Sequence, residues 1–183
     1  VPKGYTRFLG KLAALSDAGI IIEIFTGNHD MWMKDYFLQE LNIPIHFNPI
    51  TVTYNNQLFY IGHGDGLGPG DNSYKVMKCV MTNKWAKWLY RRLHPDTGIA
   101  LATYFSKKGE SKKETESTYY GDDKEWLVLY AKDYLKREPI NYFIFGHRHL
   151  AMTKALSDTC TYINIGDWLK YNSYAVFDGQ QCE

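Results

Sequence analysis

Tyr142-Phe143-Ile144-Phe145-Gly146-His147-Arg148-His149 is the stretch whose reading decides the fold. An unbroken apolar run is what a parallel strand buried on both faces looks like. The glycine at its end lets the backbone turn sharply or come close to another group. Two earlier stretches share the design: Ile24-Phe25-Thr26-Gly27-Asn28-His29-Asp30 and Phe59-Tyr60-Ile61-Gly62-His63-Gly64-Asp65. In each, β-branched and aromatic residues end in glycine and side chains with lone pairs follow at once. Ligands bind at the carboxyl ends of strands in open α/β sheets, so three strand ends are expected to deliver ligands to one place. His147 and His149 share a face if the strand runs straight; in a loop, each could reach a different one of two adjacent ions. Both geometries suit metal binding.

Working outward, Gly4 to Ala18 carries Phe8, Leu9, Leu12, Ala13 and Leu15 at helical spacing. Ile20 to Phe25 reads as a strand and Met33 to Leu41 as a short helix stopped by Asn42-Ile43-Pro44. Ile45 to Phe47, Thr51 to Tyr54 and Leu58 to Gly62 read as strands, the last two joined by an Asn55-Asn56 hairpin turn. Helices are expected around Val76 to Met81, over Lys84 to Leu93 and over Thr97 to Phe105. Gly109 to Asp123 reads as a polar loop. An amphipathic helix over Lys124 to Arg137, capped by Asp122 or Asp123, leads through Pro139 into the central strand. Met152 to Leu156, Cys160 to Ile165 and Ser173 to Phe177 read as closing strands. The pattern is α/β, with alternating elements, some antiparallel strands and a helical insertion at about 71–116.

That insertion is lopsided in charge. From Lys75 to Lys113 it holds Lys75, Lys78, Lys84, Lys87, Arg91, Arg92, Lys107, Lys108, Lys112 and Lys113 against Asp96 and Glu110 alone. A basic segment rich in Trp and Met could take an anionic amphiphile or lie on a membrane surface. It could equally be a solvated basic face over ordinary packing. The whole chain, 183 residues with net charge +1, lacks the strongly basic balance of a phosphate-tracking nucleic-acid binder. No apolar run approaches bilayer length. Three cysteines, Cys79, Cys160 and Cys182, form no spaced framework and suggest a reducing compartment. Cys79 reads as a small apolar filler, and Asp167-Trp168 as a structural turn or a pocket wall. Arg148 could meet a phosphate or pair with an acid.

A lone histidine near a strand end is more often structural than a ligand. Here Asn28, His63 and His147 each follow a strand-end glycine at once, with His149 two residues further on. Imidazole nitrogen and amide oxygen suit borderline divalent ions such as Mn²⁺, Fe²⁺ or Zn²⁺. Such a set needs acids to neutralise the ions, best with one bridging two metals.

Gly27-Asn28-His29-Asp30, Gly62-His63-Gly64-Asp65 and Gly146-His147-Arg148-His149 resemble, in order and approximate spacing, the last three motifs of the calcineurin-like binuclear metallophosphoesterases. The resemblance implies an αββα sandwich and two divalent metal ions, Mn²⁺ foremost. Asn28, His63 and His147 would hold one ion and His149 the other. His29 would be the catalytic electrostatic stabiliser or proton donor facing the phosphate, with Asp30 holding its loop. The family's earlier motifs, Asp-x-His and Gly-Asp-x-x-Asp, do not occur. The chain therefore reads as starting in mid-domain, as the C-terminal portion of a larger phosphoesterase.

The insertion after Gly62 to Asp71, with Leu93-His94-Pro95-Asp96 and Ser106-Lys107-Lys108, resembles the UDP-2,3-diacylglucosamine pyrophosphatases of lipid A synthesis, in their Bacteroidetes-like branch. That resemblance implies a helical cap for two acyl chains and a cytoplasmic enzyme with peripheral contact to the inner membrane. The substrate is then an acylated UDP-sugar. Asp71 and Tyr74 would contact the glucosamine or its phosphate, and Ser106, Lys107 and Lys113 the acylated sugar and nucleotide. Two other readings stay open: a metallophosphoesterase for a different phosphodiester or nucleotide, and a non-catalytic scaffold of the same fold.

Overall fold

Phe143 and Phe145 point to one face of their strand and Tyr142 and Ile144 to the other, as a two-residue period requires. Each pair meets its own apolar cluster, so the strand is covered on both sides. In the computed structural model, which describes residues 4–70, 72–110, 118–168 and 170–183, without the side chains of 73 and 105–110, this strand (Tyr142–Phe145) is the middle of a five-stranded sheet.

In chain order the elements are α1 (Thr6–Asp17), β1 (Ile24–Phe25), α2 (Tyr36–Leu41), β2 (Ile45–His46), β3 (Ile50–Tyr54), β4 (Gln57–Gly62), α3 (Asn72–Thr82), α4 (Lys84–Tyr90), α5 (Pro95–Glu110), α6 (Trp126–Tyr134), β5 (Tyr142–Phe145), β6 (Ala151–Ser157) and β7 (Cys160–Ile165). The main sheet runs β3-β4-β5-β7-β6. Its three inner strands are parallel and both outer ones antiparallel. Strands β1 and β2 form a separate parallel pair. The expected α/β class is therefore met by a mixed central sheet with helices. Among the described residues no helix is long and apolar enough to cross a membrane.

Register positions the site. Gly62 pairs with Phe145, and Phe145 with Asn164, so β4, β5 and β7 end level with one another. The residues that follow the strands, His63, Gly146 and Gly166, lie at a common edge of the sheet. The hairpin that sets the β3–β4 register turns at Asn55 and Asn56, with φ of 48° and 64°. Two left-handed residues in succession are what a two-residue hairpin matched to strand twist demands, and asparagine tolerates them.

Leu127, Val128 and Ala131 of α6 pack on Tyr60, Phe143, Phe145 and Tyr162. The opposite face gathers Phe59, Ile163 and Cys182 with Ile61, Ile144 and Phe177. Phe143 and Phe145 are both fully buried, worth about 1.5–3 kcal/mol each in removal from water.

Several sequence expectations change. Ser173 to Phe177 is not a strand of the sheet. Val176 exchanges backbone hydrogen bonds with Glu183, and the Asp178 side chain accepts from the Gln180 and Gln181 amides, so this segment folds back on the residues after it. Its Phe177 plugs the second cluster from the side. Only Ile24–Phe25 of the first expected strand pairs, and Ile20 and Ile21 are exposed. Asp122 does not cap α6; it accepts from Lys154 Nζ at 2.5 Å. Cys79 is exposed rather than a filler.

Candidate metal centre

The sharp end of β4 brings His63 against the turn after β1. Its Nε2 lies 3.1 Å from Asn28 Oδ1. Gly27 makes this approach possible, because a methyl group there would stand 3.0 Å from the His63 ring. On the other side the His147 ring meets His63 edge to face, with centroids 5.2 Å apart. An amide and two imidazoles from sequence-distant strand ends thus face one another. His149 follows two residues later, its Nδ1 3.3 Å from Asp167 Oδ2. A carboxylate on one ring nitrogen fixes the tautomer and turns the other nitrogen outward, the usual support of a metal-ligating imidazole. His29 sits exposed in the turn beside Asn28, near enough that its charge acts on His63.

The chain does not run straight through the central motif. His147 takes a left-handed φ of 61°, uncommon for a residue with a side chain and held only where the surroundings over-determine it. Arg148 supplies that determination. Its guanidinium is 3% exposed and forms two bonds to the 2%-exposed Glu125, from Nε at 3.1 Å and a terminal nitrogen at 2.8 Å. It also donates to the Thr118 carbonyl at 2.7 Å and lies over the Trp126 ring at 4.8 Å. With Arg148 locked inward, His147 and His149 are left at the sheet's edge.

Electrostatics favour neutral imidazoles. Burial pushes His147 down to about 4, helped by the neighbouring His63, and burial also holds His63 below the ordinary histidine range. Both rings keep lone pairs at pH 7, which ligation requires. Two ligands at right angles on one ion with bonds near 2.1 Å stand about 3 Å apart, and the 3.1 Å between Asn28 Oδ1 and His63 Nε2 fits that spacing. The gathered donors are neutral. Among the described residues no three His, Cys, Asp or Glu side chains come together as a metal group.

Around this edge lie the helices between β4 and β5. Tyr74, expected at the substrate, gives its hydroxyl to Asp65 Oδ2 at 2.7 Å and its ring faces His147 with centroids 5.9 Å apart. Asp71 and Lys113 lie outside the described residues, as do the side chains of Ser106 and Lys107. A cleft of about 570 Å³ opens between the turn after Asp30 and the helices, with none of Asn28, His63, His147 and His149 in its lining. It is lined by Trp32, Met33, Lys87, Tyr90, Arg91 and Ile99 among others.

No family model matches the chain. A curated protein of Porphyromonas gingivalis named UDP-2,3-diacylglucosamine hydrolase is 41% identical over 98% of the chain and 73% of its own length. The chain belongs to the UDP-2,3-diacylglucosamine hydrolase family. Proteins of the same name from Shewanella halifaxensis and Vibrio parahaemolyticus are each 26% identical, over 94% and 87% of the chain. The chain spans 71% and 66% of their lengths.

In this UDP-2,3-diacylglucosamine hydrolase family member, sequence reasoning missed three supports of the site. Asp167, by its sequence a turn or pocket wall, pairs with His149. Its position just after a strand-end glycine, the pattern that flagged the histidines, was the available signal. Glu125 and Lys78 carried no local signal, since each matters through a residue distant in sequence. Arg148, which the sequence left between phosphate and acid, pairs with the acid.

Proposed function

We propose that the chain is the metal-binding portion of a hydrolase that cleaves the pyrophosphate of UDP-2,3-diacylglucosamine. Water adds across the bridge, and UMP and 2,3-diacylglucosamine 1-phosphate leave. The observation that carries this reading is the 3.1 Å approach of Asn28 and His63, beside His147, in a chain 41% identical to a curated hydrolase of that substrate. Asn28, His63 and His147 would hold one divalent ion and His149, steadied by Asp167, a second; Mn²⁺ is our first choice. When bound, such a pair lowers the pKa of water and offsets charge on the phosphate. The architecture we infer for the whole enzyme is the metallophosphoesterase sandwich, with 71–116 as its cap.

His29 lies beside Asn28 and exposed, where it can face the α-phosphate and stabilise the added negative charge. His29→Ala is expected to lower turnover by about 10²–10³-fold, the usual effect of removing one aimed donor. Bound Mn²⁺, measured by elemental analysis, should not change; loss of metal would make His29 a ligand instead.

Asp71 and Tyr74 would meet the glucosamine or its phosphate, Ser106, Lys107 and Lys113 the acylated sugar and nucleotide, and an acyl chain would lie in the cleft between Trp32, Tyr90 and Ile99. UMP release from the acylated UDP-sugar by full-length protein with Mn²⁺, set against bis(4-nitrophenyl) phosphate, tests the reading. Turnover of the aryl diester alone would leave a phosphoesterase for a different substrate. Turnover of neither, with no metal bound, would leave a scaffold.

We also infer peripheral contact with an anionic membrane. Trp85 is 78% exposed, Trp88 and Leu89 are also exposed, and Lys84, Lys87, Arg91 and Arg92 lie among them, as an interfacial helix requires. Replacing those four cations with Gln is expected to weaken binding to phosphatidylglycerol vesicles in sedimentation, and unchanged binding would reject the contact.

A further inference from the structure

The helices between β4 and β5 are tied to two loops of the site, and the two ties differ in kind. On the side of the turn after β1, Trp32 Nε1 donates to the Met81 carbonyl at 2.6 Å and Lys87 Nζ to the Met31 carbonyl at 3.2 Å. The Trp32 and Tyr90 rings meet edge to face at 4.4 Å. On the side of His63 the tie is charged. Asp65, two residues beyond His63, is buried, and its Oδ2 accepts from Lys78 Nζ at 2.6 Å and from the Tyr74 hydroxyl at 2.7 Å. Lys78 also reaches the Asp65 carbonyl at 3.3 Å, and Lys75 Nζ the Gly68 carbonyl at 2.7 Å.

Burial alone would raise the Asp65 carboxyl, but hydrogen bonds from Lys78 and Tyr74 hold it below the ordinary carboxylate value. A desolvated ion pair is a poor way to gain stability alone. What it supplies is direction, since a charge-assisted bond is short and angularly selective. One carboxylate thus sets α3 against the His63 loop while Tyr74, on the same helix, faces His147.

We propose that Lys78 and Asp65 are positioning residues that fix the seat of the helices over the site. They govern the fit of a large substrate that must touch the helices and leave the reacting groups untouched. The proposal rests on the hydrolase reading above only for its choice of substrates.

The test uses full-length protein carrying Lys78→Met, with Lys78→Arg as the conservative variant. For the acylated UDP-sugar, kcat/KM is expected to fall about tenfold, mostly through KM, as loss of one charged hydrogen bond allows. Turnover of bis(4-nitrophenyl) phosphate, too small to need the helices, should stay within about twofold, and Lys78→Arg should restore most of the loss. Hydrogen–deuterium exchange should rise over 72–90 and not over 142–149. Parallel loss on both substrates, no loss on either, or unchanged exchange would overturn the proposal. If wild-type protein hydrolyses neither compound, the hydrolase reading fails and the exchange comparison alone decides the positioning role. Should Lys78→Met not fold, Lys78→Gln replaces it under the same criteria.

Discussion

Glu125→Ala is expected to lower the free energy of unfolding by about 3–5 kcal/mol, the usual result of stripping the counter-charge from a buried ion. Glu125 and Arg148 are 2% and 3% exposed. After truncation the guanidinium keeps the Thr118 carbonyl and the Trp126 face, neither of which carries a negative charge. Water cannot reach it without opening the contact between α6 and the loop after β5. Arg148 stands between His147 and His149, so its release also removes one restraint on the left-handed conformation of His147 and leaves that ring only its contacts with His63, Tyr74 and Trp126. Activity should therefore fall along with stability. Glu125→Gln keeps shape and one acceptor, and the expected loss is smaller, about 1.5–3 kcal/mol. The double variant Glu125→Leu with Arg148→Met separates the two roles. Apolar replacement of a buried pair is often neutral, so its urea midpoint should recover towards wild type at an unchanged slope while hydrolysis stays low. Recovery of both would mean that the pair holds the fold and not the histidines. An undiminished midpoint in Glu125→Ala would show that the pair contributes no net stability.

The sequence was most legible where one local rule decides the outcome. An apolar run closed by glycine can be placed in a buried parallel strand without knowing its neighbours, and β4 and β5 lie where that rule put them. The Asn55-Asn56 hairpin was equally readable, because few residues accept two successive positive φ angles. Legibility failed where the answer lay in a distant partner. Arg148 looks the same before a phosphate or an acid, and only the fold brings Glu125 to it from 23 residues away. Ser173 to Phe177 has the composition of a strand, but its backbone bonds go to the last residues of the chain. The helical spacing of Val76, Val80, Trp85 and Leu89 fits either a packed face or one offered to an amphiphile, and all four are exposed. Periodicity reports which face is apolar and says nothing of what covers it. For the candidate centre, the motifs named the residues and the register brought their strand ends level, while the direction of each ring depends on Asp167, Glu125 and Gly27.

His63→Ala is expected to abolish Mn²⁺-stimulated hydrolysis, a loss of about 10³-fold or more, on the order of 4 kcal/mol of transition-state stabilisation. The size follows from the position of the ring. His63 is the contact between Asn28 on one side and His147 on the other, so its removal separates the remaining donors as well as deleting one. Asn28 cannot compensate, because a neutral amide oxygen is a weak ligand without a charged or imidazole neighbour. Nor can a nearby acid move in: Asp65, the closest carboxylate in sequence, is held by Lys78 and Tyr74. Stability should change little, since His63 is only partly buried and its hydrogen bond is to the Asn28 side chain. The measurements are Mn²⁺ binding by calorimetry and UMP release, both on full-length protein, with His29→Ala alongside. The expected pattern is a separation. His63→Ala loses metal and turnover together, whereas His29→Ala keeps metal and loses turnover. If His63→Ala retained Mn²⁺-dependent turnover, the amide and imidazoles gathered at this sheet edge would be structural neighbours and the ion would have to be held elsewhere.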